Sequence, residues 1–487
     1  MANGQSATDL IALQDAVVLH GNRQPLTWRI QRGQHWIITG ERATGKTLLA
    51  ETLAGLRRLS AGKLTYPFLD QALSYEERHS ALRLVTFADH SRLARNPTNV
   101  HYYQQRYNAF DASGHPAVRQ YLEAGAFTLD EHEQLISLFG IGELLGREQI
   151  KLSSGQTRKV LLARELLRRP RVLIIDNPYV GLDLQSREIL NRLLDKLVAS
   201  LDLNLILCGH LDTVPDSITH RLHLHLDGSS WQGRHDQFTA GPVPPAINAV
   251  ALRQIAAHWA NRPRFEMGEE LIRFRDVTIQ YGERPVLDSL DWRVQRGDKW
   301  VVSGSNGSGK STLLSLVYAD NPLAYANDIS LFGKRRGRGG SIWDIKRRIG
   351  FTSPELHTYF RERITAREVV LTGYSDTFTL AKSYTSAQEE MVNSLFEYFD
   401  LGTESGRLFP HLSSGTQRLV LLCRALVKAP PLLLLDEPFQ SLDSRTIERA
   451  RVLLSSVLGP DTTVVFISHF RAEVPDDMDW KELNLDR

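Results

Sequence analysis

Two short runs carry a lysine in a setting suited to phosphate. One is Gly304-Ser305-Asn306-Gly307-Ser308-Gly309-Lys310-Ser311, which follows the apolar run WVVS and precedes TLLSLV. A strand, a glycine loop and a helix start in this order bring backbone N–H groups and the positive end of a helix to one point. Lys310 is spaced to reach the β- and γ-phosphates of a nucleotide, and Ser311 to ligate Mg2+. Thr312 continues the loop into the helix. The other run, Gly40-Glu41-Arg42-Ala43-Thr44-Gly45-Lys46-Thr47, has the same spacing, with Lys46, Thr47 and then Leu48 in the matching positions. Glu41, Arg42 and Ala43 make it the less regular of the two.

The run LLLLDEP ends in Asp436 and Glu437. A carboxylate at the end of a buried strand, facing such a loop, can hold Mg2+; that is Asp436. The next acid, Glu437, is placed to take a proton from an attacking water. His469 ends the run VVFISH and can hold the γ-phosphate and the water in line. The earlier counterpart reads Asp176-Asn177-Pro178, with His210 closing LILCGH. Asp176 can still serve the metal. Asn177 cannot accept a proton, so the base is missing there.

These residues are positioned by elements that occur twice. RIQRGQHWIITGERATGKT (29–47) matches RVQRGDKWVVSGSNGSGKS (293–311). LSSGQTRKVLLARELLRRP (152–170) matches LSSGTQRLVLLCRALVKAP (412–430), and VLIIDNPYVGLD (172–183) matches LLLLDEPFQSLD (432–443). Blocks in one order at a near-constant offset mean two copies of one domain. The expected division is a first domain over 1–233, a linker over 234–268 that starts Pro-rich and has a short helix in its middle, and a second domain over 269–487. Within each copy, continuous apolar strands alternate with helical stretches, the pattern of a mainly parallel sheet covered on both faces. A more helical insert, roughly 90–150 and 355–410, separates the glycine loop from the LSSG segment. The fold class is therefore α/β, with two P-loop nucleotide-binding domains.

Bulk composition narrows the setting. The chain has 487 residues, 42% hydrophobic and 23% charged, an ordinary balance for a globular protein with a full core. A net charge of +2 does not by itself point to nucleic acid or an acidic membrane. No apolar run reaches the roughly 18 residues needed to span a bilayer, and Met1–Asp9 lacks the apolar core of a secretory signal. Cys208 and Cys423, the only cysteines, lie in apolar runs and read as buried reduced thiols, as in a reducing cytoplasm. The expected location is cytoplasmic, with peripheral attachment at the inner face of a membrane open.

The glycine loop, the LSSG segment, the D-E-P strand, Ser441-Leu442-Asp443 and His469, in this order, resemble the ATP-binding cassette (ABC) family over nearly all of both halves. The resemblance implies ATPase activity with ATP and Mg2+, and a head-to-tail pairing in which the loop of one half faces the LSSG segment of the other. One site would join Lys310, Ser311, Asp436, Glu437 and His469 with Ser153, Ser154, Gly155 and Gln156. The second would join Lys46, Thr47, Asp176, Asn177 and His210 with Ser413, Ser414 and Gly415, where Thr416 replaces the glutamine. It also implies an aromatic stacking on adenine, Tyr281 in the second copy and His20 at the matching position in the first. The family's usual glutamine between loop and insert is absent: Pro354, beside Glu355, and Asp89 stand at those positions.

The stretch 327–357 with VVLTGYSDT is similar to a narrower group of soluble tandem cassettes, the ModF-type molybdate-transport ATP-binding proteins, also called photorepair-protein-like. That likeness implies a separately encoded membrane permease as partner. The alternative is a non-transport ATPase acting on ribosomes or on nucleic acid, but no long charged hairpin separates the cassettes and no zinc-type cysteine cluster is present. The basic run Lys334–Arg338 could touch phosphate or nucleic acid, but reads first as a solvated loop.

Overall fold

The computed structural model describes residues 9–18, 24–41, 44–69, 80–87, 116–124, 133–149, 152, 154–179, 182, 184–209, 213–239, 247–262, 270–281, 284–305, 307–337, 341–360, 362–468 and 473–486. The chain divides into two compact units between residues 242 and 243.

In chain order the first unit has β1 (Asp9–Val18), β2 (Leu26–Gln31), β3 (Trp36–Gly40), α1 (Lys46–Leu53), β4 (Leu59–Thr65) and β5 (Leu82–Thr86). It continues with α2 (Val118–Glu123), α3 (Glu133–Phe139), α4 (Ser154–Leu166), β6 (Val172–Asp176), α5 (Leu184–Ser200), β7 (Asn204–Cys208), β8 (His220–Leu224) and β9 (Ser230–Arg234). The main sheet runs β5-β6-β7-β3-β8-β9, and all its pairs are parallel except β8 with β9. Successive residues of its strands enter different cores. Ile37, Leu173, Ile175, Leu205 and Leu207 join one cluster; Ile38, Val172, Ile174, Ile206 and Cys208 join another. Both faces are covered, which is why these strands read as unbroken apolar runs rather than as an alternation. A smaller antiparallel sheet, β2-β1-β4, packs Trp28 and Ile30 into the second cluster.

The second unit opens with α6 (Ala249–Ala260), β10 (Glu270–Tyr281), β11 (Arg284–Gln295), β12 (Lys299–Ser303), α7 (Lys310–Val317), β13 (Asp328–Leu331), β14 (Lys334–Arg335), α8 (Ile342–Lys346) and β15 (Ile349–Thr352). There follow α9 (Pro354–Tyr359), α10 (Ala366–Leu371), α11 (Ser386–Tyr398), α12 (Ser414–Leu426), β16 (Leu432–Asp436), α13 (Ser444–Val457), β17 (Thr463–Ile467) and β18 (Trp480–Asn484). Its sheet β15-β16-β17-β12-β18 is wholly parallel, and an antiparallel sheet β11-β10-β13-β14 accompanies it. The helix in the middle of the stretch between the repeats is α6. It packs on α11 and α13 and buries Ala251, Ile255 and Trp259 in the core of this unit. Cys208 and Cys423 are buried, and no disulfide joins them. Among the described residues no helix is long and apolar enough to cross a membrane.

Candidate functional site

The two glycine loops are built alike. Each follows the strand that lies between the two others of its neighbourhood, β3 or β12, and each opens a helix, α1 or α7. Gly45 and Gly309 precede those helices with φ of 88° and 101°. Only glycine takes this conformation cheaply, and at Gly309 a Cβ would also meet Leu287 at 2.8 Å and the Val286 carbonyl at 2.9 Å. The Lys46 ammonium donates to the carbonyls of Gly40 at 2.8 Å and Glu41 at 2.7 Å. Lys310 does the same to Gly304 at 2.6 Å and Ser305 at 2.8 Å. Both lysines thus reach back across their own loops.

The acids come from the strand ends that the apolar pattern indicated. Asp176 closes β6 and Asp436 closes β16, and both are buried. The Thr47 hydroxyl donates to Asp176 Oδ2 at 2.8 Å, so the loop's hydroxyl and the strand's carboxylate converge. Two hard oxygen donors at one point suit Mg2+, and Ser311 with Asp436 are the corresponding pair in the second unit. Burial pushes the Asp176 carboxyl up to about 6, against the pull of Thr47, Lys46 and Asn177.

That shift has a sign for stability. The folded chain holds the Asp176 proton more tightly than the unfolded chain, so ionising Asp176 opposes folding. The penalty is absent below about pH 4, grows between 4 and 6, and is complete above 6. Asp176→Asn, studied without metal, should therefore stabilise the first unit at pH 7.5 by up to about 3 kcal/mol. The gain should vanish by pH 4. Chemical denaturation across that range measures it, and equal stability of the two proteins at pH 7.5 would refute it.

The residue after each acid is held in one unusual backbone shape. Asn177 and Glu437 have φ of 52° and 45°. Their N–H groups donate to the next strand, Asn177 to Cys208 at 2.7 Å and Glu437 to Ile467 at 2.9 Å. The side chains then differ. Asn177 Nδ2 folds back and donates to Asp176 Oδ1 at 3.1 Å. Glu437 instead accepts from Gln440 Nε2 at 2.6 Å. Buried Arg418 lies beneath Asp436 and Glu437; burial pushes its guanidinium down to about 10, and the two acids draw it back up. Its counterpart Arg158 lies over the Phe87 ring at 5.1 Å.

The LSSG segments start helices. Ser413 caps α12, its hydroxyl accepting from the Thr416 N–H at 3.2 Å, and Thr416 is buried against it. Ser414 opens that helix, and Gly415 has no room for a side chain, because a Cβ would lie 2.8 Å from the Ser441 carbonyl. In the first unit Ser154, Gly155 and Gln156 begin α4. Tyr281 is the last residue of β10. His20, Asp89, Ser153, His210, Asn306 and His469 lie outside the described residues.

The sequence pattern described as "ABC transporter" matches residues 23–180 and again 287–440. The chain belongs to the ABC transporter family. It is a two-cassette ATPase of that family. It is 32% identical over 460 residues to an uncharacterised ABC transporter ATP-binding protein of Schizosaccharomyces pombe, covering 92% of each chain. It is 32% identical over 463 residues to the ABC transporter ATP-binding protein ModF of Escherichia coli, covering 92% of this chain and 90% of that one. Among solved structures it resembles that of ribosome-bound archaeal Pelota and ABCE1, with a TM-score of 0.54 at 16% identity, over 93% of this chain and 73% of that one. A likeness at that identity is one of fold.

Several ABC-site neighbours were not read from the motifs. Gln440 could have been: the first copy has Val180 at the matching position, beside Asn177 rather than Glu437. Asp486 Oδ1 accepts from both the N–H and the hydroxyl of Ser305, each at 2.7 Å, from 181 residues away. His357 Nε2 meets Gln417 Oε1 at 2.7 Å, joining α9, where the family's glutamine would stand, to the LSSG helix. Burial pushes that histidine down to about 4, so it is neutral at physiological pH and donates from Nε2.

Proposed function

We propose that the two cassettes of this ABC ATPase pair head to tail around two ATP molecules and that turnover is concentrated at the site built on the second glycine loop. The observation that carries this is the difference at one matched position: Glu437, oriented by Gln440, against Asn177, turned onto Asp176. The attacking water gives its proton to the Glu437 carboxylate as its oxygen bonds to the γ-phosphorus, and the bond to the β-phosphate oxygen breaks, leaving ADP and phosphate. Lys310 holds the β- and γ-phosphates, and the backbone N–H groups of the loop from Gly304 to Thr312 close around them. From the motif pattern, His469 keeps the γ-phosphate in line. Mg2+, when bound by Ser311 and Asp436, would neutralise charge developing on the phosphates. In the first cassette Lys46, Thr47 and Asp176 bind the nucleotide and metal in the same way, but no carboxylate follows.

Asn177→Glu tests this asymmetry. Steady-state ATP turnover of that variant should equal or exceed that of the native chain. A large drop would mean that Asn177 serves the structure and not a silenced site. Equilibrium binding should find two ATP per chain; a single ATP would overturn the two-site reading.

The ModF likeness supports reading the chain as the energising subunit of a transport system, molybdate-type by resemblance, docking from the cytoplasm on a separately encoded permease. Recovery of such a permease with the tagged chain from detergent-solubilised membranes tests it; a native complex containing no membrane protein would refute it.

A further inference from the structure

The basic run Lys334–Arg338 begins on a strand. Residues 318–348 hold seven lysines and arginines against three aspartates, so the rest of the chain is net acidic, since the whole is only +2. Lys334 and Arg335 form β14, the edge of the antiparallel sheet of the second unit, and both are exposed. Between this edge and α8 lies a recess lined by Phe332, Lys334, Arg336, Ser341, Asp344 and Arg348 among others. Arg347 pairs with Asp344, Lys346 with Asp320 at 2.5 Å, and Arg335 reaches Asp328 at 3.6 Å.

Arg336 is the informative residue. It is 8% exposed, lines the recess, and its Nε has no hydrogen-bond partner among the described residues. Its guanidinium lies over the Tyr325 ring at 4.9 Å and donates to the Tyr325 hydroxyl at 3.0 Å. Tyr325 is nevertheless 55% exposed. On the other side, α8 carries Trp343, 47% exposed. Each of these two exposed rings stands beside a cation, Tyr325 under Arg336 and Trp343 5.7 Å from the Lys346 ammonium. Cations alone would fit any polyanion. Cations with exposed rings fit one whose bases are free to stack, because a duplex hides its base faces.

We propose that this face of the second cassette, carried by β14, Arg336 and α8, binds single-stranded nucleic acid, with Lys334, Arg335 and Arg336 on the phosphates and Trp343 and Tyr325 stacking on bases. The face is a binding function separate from the ATP sites and uses none of their residues.

The test is fluorescence anisotropy with labelled oligouridylate and oligothymidylate on the full chain, across a range of salt concentrations. Both RNA and DNA are included because stacking and phosphate contacts are common to them; binding of either supports the proposal. The charge-reversed variant K334E/R335E should bind at least about tenfold more weakly. Its plot of log affinity against log salt should flatten by about 1.4, the loss of two single-strand phosphate contacts. Trp343→Ala should weaken binding about fivefold or more with the slope unchanged, because stacking releases no counterions. ATP turnover of both variants should match the native chain, which reports that they are folded. The proposal is overturned if neither oligonucleotide binds at low salt, or if both variants bind like the native chain. Binding to phosphatidylglycerol vesicles with none to oligonucleotides also overturns it, since the face would then read a membrane.

Discussion

Glu437→Gln should lower ATP turnover by about 10²–10⁴-fold, the range expected when a positioned general base is removed, while leaving ATP binding intact. The substitution is nearly isosteric. Gln440 Nε2 can still donate to the new side-chain oxygen as it does to Glu437 Oε2 at 2.6 Å, and the N–H of residue 437 keeps its bond to the Ile467 carbonyl. Loop, metal ligands and LSSG segments are untouched, so the variant should retain nucleotide and accumulate the ATP-bound form. Single-turnover hydrolysis, with retained nucleotide measured on rapid filtration, separates chemistry from binding. Turnover near the native rate would mean that the base lies elsewhere. Loss of binding together with turnover would mean that Glu437 is structural.

Asp376→Asn should destabilise the second unit by about 3–5 kcal/mol, the usual cost of stranding buried charge. Asp376 is buried between two cations of the LSSG helix and its end: it pairs with Lys428 and lies 4.0 Å from Arg424. Burial pushes Lys428 down and Asp376 holds it up, so its charge depends on that carboxylate. Arg424 Nε also donates to the Thr372 hydroxyl at 2.9 Å, and Lys428 to the Lys346 carbonyl at 2.9 Å. The network clamps the far end of α12, whose near end carries Ser413, Ser414 and Gly415. For a unit of this size the loss corresponds to roughly 6–20 °C in melting temperature. Calorimetry reads it directly. The double variant Asp376→Asn with Lys428→Met should recover part of the loss, since one stranded charge is then gone. A single variant melting within a degree of the native chain would refute the clamp.

The parts of this protein that were legible in its sequence are those set by local pattern. Glycines at fixed spacing after an apolar strand and acids closing apolar runs specify their own backbone, and Asp176, Asp436, Lys46 and Lys310 stand where such patterns put them. Illegible were the contacts made when distant elements pack. Nothing near residue 305 announces Asp486, and nothing in LSSGTQR announces His357, 60 residues earlier. Arg418 is visible as a letter, but its place under two carboxylates depends on how α12 lies against β16. Of the run Lys334–Arg338, the first two residues are exposed as expected but form the short edge strand β14 rather than a loop, and Arg336 packs on Tyr325 from an earlier stretch of chain.

Asn177 and Glu437 share one backbone, to within 7° in φ and with the same bond to the neighbouring strand. The fold therefore registers neither residue's chemistry. After a gene has been doubled within one reading frame, such a position can drift in one half without disturbing the other or the shape of either. On the proposed reading, the two halves are a fast and a slow timer cut from the same part, with the interval between them set by a single side chain.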